Sequence, residues 1–110
     1  MNLRVRRFIE KDFGLSRERM IEWMQYWLAN SLREYEGAVR ARRVPGPFSY
    51  GAKPTIADAF LVPHVLLSQR FGIDLKPYKE VRAIHESCME LPAFQRASSE
   101  YLIKDVEYGI

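Results

Sequence analysis

The amino-acid sequence predicts a single all-α domain of about five helices that spans residues 1–110. Apolar residues recur at helical spacing along the chain, and no run of alternating apolar and polar residues bounded by turns marks a strand. Capping residues also stand before several of the apolar segments. With 47% hydrophobic residues, 110 residues can bury one core but not two.

The first two helices are predicted from apolar spacing on either side of Gly14. Val5, Ile9 and Phe13 recur every four residues, and Gly14 can end that helix in the left-handed conformation. Ser16 is the expected N-cap of a long second helix that runs to about residue 41. Its apolar residues predict a wide buried face made of two stripes: Met20, Met24, Trp27, Ser31, Tyr35 and Ala38 in one, and Ile21, Leu28, Leu32 and Val39 in the other.

The third helix is predicted to be the buried centre of the domain. It follows a proline- and glycine-rich loop over residues 42–54, and Thr55 and Asp58 have the spacing of a capping box. The residues after Asp58 are apolar almost all round, and Gly72 is the expected end. A carboxylate in an apolar helix also suggests an acid–base role, but the capping box accounts for Asp58 better.

Two shorter helices complete the prediction. Pro77 is expected to open the fourth, which runs to about Glu90 with Val81, Ile84 and Cys88 facing inward, and Pro92 to open the fifth.

The cysteine count, the net charge and the length of the apolar runs exclude some classes of function and favour others. The single cysteine excludes an intrachain disulfide and favours a reducing, cytoplasmic location. The net charge is +3, and twelve of the seventeen basic residues are arginine, which favours an anionic small molecule over nucleic acid. The longest apolar run is too short for a membrane span. Because His64 and His85 are far apart and Cys88 lies on an apolar stripe, we expect neither a metal site nor a catalytic residue.

Several segments resemble the glutathione transferase family. Residues 51–58, with Leu61-Val62-Pro63 after them, resemble the buried-helix signature of its C-terminal domain. Residues 70–78 and 91–94 are similar to the zeta class, whose best-known member is maleylacetoacetate isomerase. Residues 2–5 match the late part of that domain's first helix, so the resemblance covers nearly the whole chain.

The resemblance implies a glutathione transferase C-terminal-like helical bundle and a role in a glutathione-dependent cis–trans isomerase of maleylacetoacetate type. It implies glutathione as co-substrate, a homodimer, and a place in tyrosine catabolism. By matched position, Asn2, Leu3 and Arg4 line the glutathione site, and Arg70 holds a carboxylate of the substrate. The alternative for Arg70 is a cation that only interacts with the helix dipole.

The sequence also departs from the family. It begins midway along the family's first C-terminal-domain helix, so we expect the thioredoxin-like N-terminal domain to be absent and this chain alone to be inactive. His64 stands where relatives usually carry Gln, and residues 101–110 are more apolar than the usual end. The alternative function is therefore a free-standing, non-catalytic helical interaction module. If the chain is a domain separated from its partner domain, we expect apolar surface to be uncovered near Leu3, Val5 and Phe8, whereas a polar surface there would favour the interaction module.

Overall fold

The computed structural model describes residues 3–98, and this range is all-helical, as predicted. It contains five helices: α1 (Leu3–Asp12), α2 (Arg17–Arg40), α3 (Ile56–Arg70), α4 (Lys79–Met89) and α5 (Pro92–Ser98). The loop between α2 and α3 adds an isolated bridge between Phe48 and Gly51. Asn2 and the apolar segment 101–110 lie outside the described residues.

Most helix boundaries follow the local signals in the sequence. Gly14 and Gly72 have φ values of 63° and 77° just beyond α1 and α3, where a left-handed residue ends a helix. The Ser16 hydroxyl accepts a hydrogen bond from the Arg19 N–H at 3.3 Å and caps α2. The start of α4 was predicted wrongly, because its N-cap is Tyr78 and its first residue is Lys79, two residues after Pro77.

Helices α2, α3 and α4 contact one another and form the centre of the packing, so α3 is not the centre by itself. Helix α1 contacts α2, and α5 contacts α3 and α4. The main apolar cluster lies where α2, α3 and α4 meet and contains Leu32, Val39, Phe48, Leu61, Val62, Val65, Val81, Ile84 and Cys88. A second cluster, near the start of α2, contains Met20, Met24, Leu28 and Phe71.

The buried face of α2 differs from the prediction. Its buried residues form one stripe: Met20, Met24, Leu28, Leu32, Glu36 and Val39. Trp27 is 45% exposed, and Ser31 and Ala38 are also exposed, so the stripe predicted through them is wrong at these three positions. Tyr35, from the same predicted stripe, is partly buried against the main cluster. Helical periodicity finds apolar stripes, but the neighbouring helices decide which of two adjoining stripes they cover.

Helix α3 is buried on one face only. Leu61, Val62 and Val65 are fully packed, whereas Ile56 is 76% and Phe60 is 73% exposed. Ala59 and Pro63 are exposed as well. The expectation that this helix is buried all round is therefore wrong for one side, the outer stripe, which consists of Ile56, Ala59, Phe60 and Pro63.

The loop before α3 folds around the side chain of Arg42. The Arg42 guanidinium donates to the carbonyl oxygens of Gly46 at 2.9 Å, of Ser49 at 3.2 Å, and of Phe48. A side chain at Gly46 would collide with the Gly51 carbonyl oxygen, 2.2 Å from the position of its Cβ. These contacts hold Ser49 against the first turn of α3.

Candidate functional site

The residues predicted to bind ligands lie at two helix ends. Leu3 and Arg4 form the exposed first turn of α1, and Arg70 is the exposed last residue of α3. Asn2 lies outside the described residues. The structure therefore gives the position of three of the four residues, and the binding roles of all four stay predictions.

The end of α3 that carries Arg70 is fixed by hydrogen bonds to its backbone. The Gln25 side-chain amide of α2 donates to the Phe71 carbonyl oxygen at 2.7 Å. The Ile73 N–H donates to the Ser68 carbonyl oxygen at 3.0 Å across the turn at Gly72. Arg70 thus stands on a well-supported helix end, where the helix dipole also favours a cation.

Helix α1, which carries Leu3 and Arg4, and the end of α3, which carries Arg70, both lie next to the second apolar cluster. Phe71, next to Arg70, is 4% exposed and packs with Met20, Met24 and Leu28. Ile9 of α1 packs against the same cluster. Helix α1 packs on α2. The structure therefore relates Arg70 to α1 through α2 and this shared apolar cluster.

Helix α1 carries exposed apolar side chains where the sequence analysis expected them. Leu3, Val5 and Phe8, which we call the α1 patch, are 39%, 43% and 56% exposed. Phe13, at 70% exposure, makes an edge-to-face contact with the Phe8 ring, with 5.7 Å between centroids. Exposed apolar side chains on one short helix agree with a surface that another domain or subunit covers.

Asp58 is fully buried and forms the centre of a polar network at the start of α3. One carboxylate oxygen accepts from the Ser49 N–H at 2.9 Å and from the Ser49 hydroxyl. The other accepts from the Thr55 N–H at 2.8 Å, as the capping box requires, and from the Thr55 hydroxyl at 3.4 Å. The Tyr35 hydroxyl is hydrogen-bonded to Ser49 as well.

This arrangement gives Asp58 a structural role. Both carboxylate oxygens are engaged by protein donors, and the side chain has no exposed surface from which to exchange a proton with a ligand. The negative charge also lies in the first turn of α3, where the helix dipole favours it. The sequence predicted Thr55 and Asp58, but it did not indicate Ser49 or Tyr35.

A second buried carboxylate, Glu36, was missed by the sequence analysis. It is 5% exposed and accepts hydrogen bonds from the Glu80 N–H at 2.9 Å and the Val81 N–H at 2.8 Å, while Arg40 Nε lies 3.3 Å away. Glu36 therefore caps α4 from α2. The one signal available was the absence of a capping side chain at the start of α4, where Tyr78 occupies the N-cap.

The buried cysteine and the two histidines have shifted pKa values. Burial, together with the charge of Asp58, raises the pKa of the Cys88 thiol to about 11, so the thiol stays protonated near neutral pH. Burial also lowers the pKa of His64 and His85, and a hydrogen bond with the Leu28 backbone partly offsets the shift at His64. Cys88 therefore offers no nucleophile.

Two other kinds of site are absent from residues 3–98. No three histidine, cysteine or acidic side chains come together there as metal ligands. None of the described helices is both long and apolar enough to cross a membrane.

Known proteins resemble this chain in sequence over most of its length. No protein-family model matches it. A maleylpyruvate isomerase from Ralstonia sp. is 36% identical over 97 residues, which cover 88% of this chain and 46% of that relative. The chain thus spans about half the length of this curated relative.

Solved structures of related proteins have the same fold as this chain. The holo structure of a maleylpyruvate isomerase, a bacterial glutathione transferase of the zeta class, superimposes with a TM-score of 0.81 at 36% identity. The match covers 87% of this chain and 45% of that one. A maleylacetoacetate isomerase from Methylobacterium extorquens AM1, with bound malonate and glutathione, gives a TM-score of 0.83 at 32% identity over 88% of this chain and 45% of that one.

Proposed function

Because this chain belongs to the zeta class of glutathione transferases, whose C-terminal part it matches, we propose that it is the substrate-side domain of a glutathione-dependent cis–trans isomerase. The substrate class is a cis-unsaturated diketo diacid of the maleylacetoacetate or maleylpyruvate type. The observation that carries the proposal is the match of nearly the whole chain to a maleylpyruvate isomerase.

The proposed reaction is an addition followed by an elimination. The glutathione thiolate adds to the cis double bond, which becomes a single bond and rotates, and loss of the thiolate then restores the double bond in the trans geometry. The thiolate is activated by a thioredoxin-like domain rather than by Cys88, whose thiol is buried and protonated. No residue of this chain is assigned a covalent step.

The contribution of this chain is the placement of positive charge. Glutathione, the substrate and the enolate formed between them are all anionic, and fixed cations stabilise such charges. Arg70 is exposed on a helix end held by Gln25, and we assign it a carboxylate of the substrate. Asn2, Leu3 and Arg4 are assigned to the glutathione side of the site.

The proposed partners follow from the same assignment. The exposed α1 patch suits the surface of a thioredoxin-like domain or of a second subunit in a homodimer. Reduced glutathione and an unpaired cysteine both agree with the cytoplasm as the location. Tyrosine catabolism is the corresponding metabolic setting.

A chimera tests the proposed function. The N-terminal half of the Ralstonia maleylpyruvate isomerase is joined to this chain at the point where the match begins, and isomerisation of maleylpyruvate and maleylacetoacetate is measured with glutathione. We expect turnover by the chimera and none by this chain alone. A folded chimera without activity toward either substrate would contradict the proposal and favour the interaction module, and turnover by this chain alone would overturn the assignment of thiol activation to another domain.

A further inference from the structure

The end of α3 is tied to the neighbouring helix α2 by the side chain of Gln25. The Gln25 amide donates to the Phe71 carbonyl oxygen at 2.7 Å, and the two residues are 46 positions apart in the sequence. Phe71 is the C-cap of α3 and directly follows Arg70. The hydrogen bond therefore joins α2 to the backbone of the residue next to Arg70.

Local hydrogen bonds shape the same helix end but do not join it to α2. The Phe71 N–H donates to the Leu67 carbonyl oxygen at 3.1 Å, and the Gly72 N–H donates to the Gln69 carbonyl oxygen at 3.0 Å. These atoms all belong to α3 and the turn after it, so the bonds between them are kept when the helix end moves as one unit. The bond from Gln25 differs because its donor lies on another helix.

The hydrogen bond from Gln25 also adds direction to an apolar contact. The Phe71 side chain is 4% exposed and packs in the second apolar cluster, whose other buried residues lie on α2. Apolar burial is non-directional, so it keeps the helix end near α2 without fixing its orientation. A hydrogen bond depends on both distance and angle, so the Gln25 amide orients the Phe71 carbonyl, one residue after Arg70.

We propose that Gln25 is a positioning residue for substrate binding, which holds the end of α3 so that the Arg70 guanidinium meets a carboxylate of the substrate. This role rests on the proposed function, because it requires Arg70 to bind the substrate. The position of Arg70 matters because a charge-assisted hydrogen bond is short and directional, and a displacement of about 1 Å weakens it strongly.

The variant Gln25→Met, in the chimera with the Ralstonia half and with maleylpyruvate as substrate, tests this role. Methionine is unbranched and similar in length but has no N–H donor. We expect KM to rise by about three- to tenfold and kcat to change by less than about twofold, because Arg70 binds the substrate and the transition state alike.

Gln95→Met is the matched control. The Gln95 side-chain amide donates to the Met89 carbonyl oxygen at 2.8 Å, and Met89 is the last residue of α4. The control therefore removes the same kind of hydrogen bond from a helix end that carries no predicted ligand residue. Gln95→Met should leave KM unchanged, and a rise equal to that in Gln25→Met would overturn the positioning role.

A double-mutant cycle with Arg70→Ala separates positioning from a general effect on the fold. We expect Gln25→Met to change kcat/KM by less than about twofold when residue 70 is already alanine, because the residue through which Gln25 acts is then missing. An equal loss of kcat/KM with arginine and with alanine at position 70 would overturn the proposal. An unchanged KM in Gln25→Met, where Arg70→Ala loses activity, would overturn the role of Gln25 alone. An unchanged kcat/KM in Arg70→Ala would overturn the binding role of Arg70 and, with it, that of Gln25.

Discussion

The two ends of α3 each carry a charge, but the structure uses the two charges differently. Asp58, in the first turn, is fully buried, and protein donors engage both of its oxygens. Arg70, in the last turn, is exposed on an end that other residues hold in place. Both charges complement the helix dipole, so the dipole alone does not distinguish their roles.

The contrast between Asp58 and Arg70 shows that burial and hydrogen bonding, rather than the helix dipole, decide the role of a charged residue at a helix end. Asp58 stabilises the fold and has no surface left for a ligand, whereas the Arg70 side chain is exposed to solvent. Changes at the first end of α3 should therefore alter the free energy of unfolding, and changes at the last end should alter substrate turnover.

The largest loss of stability is expected for Asp58→Ala. The change leaves the buried N–H groups of Ser49 and Thr55 without an acceptor and removes the favourable charge at the helix start. We expect the free energy of unfolding to fall by about 2–3 kcal/mol in denaturant melts. Asp74→Ala is the control, because Asp74 is exposed and accepts only from the nearby Lys76 N–H. A neutral Asp58→Ala would refute the structural role of this carboxylate.

The second largest loss is expected for Glu36→Ala. Glu36 accepts from two backbone N–H groups at the start of α4, and the Val81 residue that donates one of them is fully buried. Removal of the carboxylate should lower the free energy of unfolding by about 2 kcal/mol. Glu34→Ala, at an exposed position of the same helix, should have little effect in the same melts. Equal effects of the two variants would mean that Glu36 does not cap α4.

A smaller loss is expected for Thr55→Ala, since Thr55 is exposed and contributes an ordinary N-cap. We expect a decrease of about 0.5–2 kcal/mol. The effects of Thr55→Ala and Asp58→Ala should not add in the double variant, because both residues stabilise the same helix start. Strict additivity in a double-mutant cycle would contradict the shared capping box.

The smallest effect is expected from the histidines, one of which lies in the middle of α3. Burial lowers the pKa of His64 and His85 in the folded state, so the unfolded chain binds more protons as the pH falls. The contribution of these residues to stability is complete above their unfolded pKa of about 6.5 and decreases below it. Melts between pH 7.5 and 5.5 should show this decrease, and His64→Gln with His85→Gln should reduce its slope. An unchanged slope would assign the pH dependence to other groups.

The sequence predicted the features that local residues determine. Helix ends are determined by nearby residues, here Ser16, Gly14 and Gly72, and the capping box of Thr55 and Asp58 spans a single turn. The sequence next to each helix end is therefore enough to identify these features. The five-helix fold followed from such signals and from apolar periodicity.

The features that the sequence did not predict depend on contacts between distant segments. Glu36 caps a helix that begins more than forty residues later. Ser49, which donates to Asp58, lies in a loop whose carbonyl oxygens accept hydrogen bonds from Arg42. The exposure of Phe60 likewise depends on which elements cover α3. Periodicity identifies an apolar face but not the element that buries it, and for this reason the outer stripe of α3 was wrongly expected to be buried.

The most direct test of the account is Arg70→Ala in the chimera with the Ralstonia half. We predict that kcat/KM for maleylpyruvate falls by about 10- to 100-fold, the effect of losing a charge-assisted hydrogen bond. The free energy of unfolding should change by less than about 1 kcal/mol. Arg82→Ala, an exposed arginine on α4, should leave both quantities unchanged. Unaltered kcat/KM in the folded Arg70→Ala chimera would contradict the assignment of Arg70 to the substrate and leave it as a cation at a helix end.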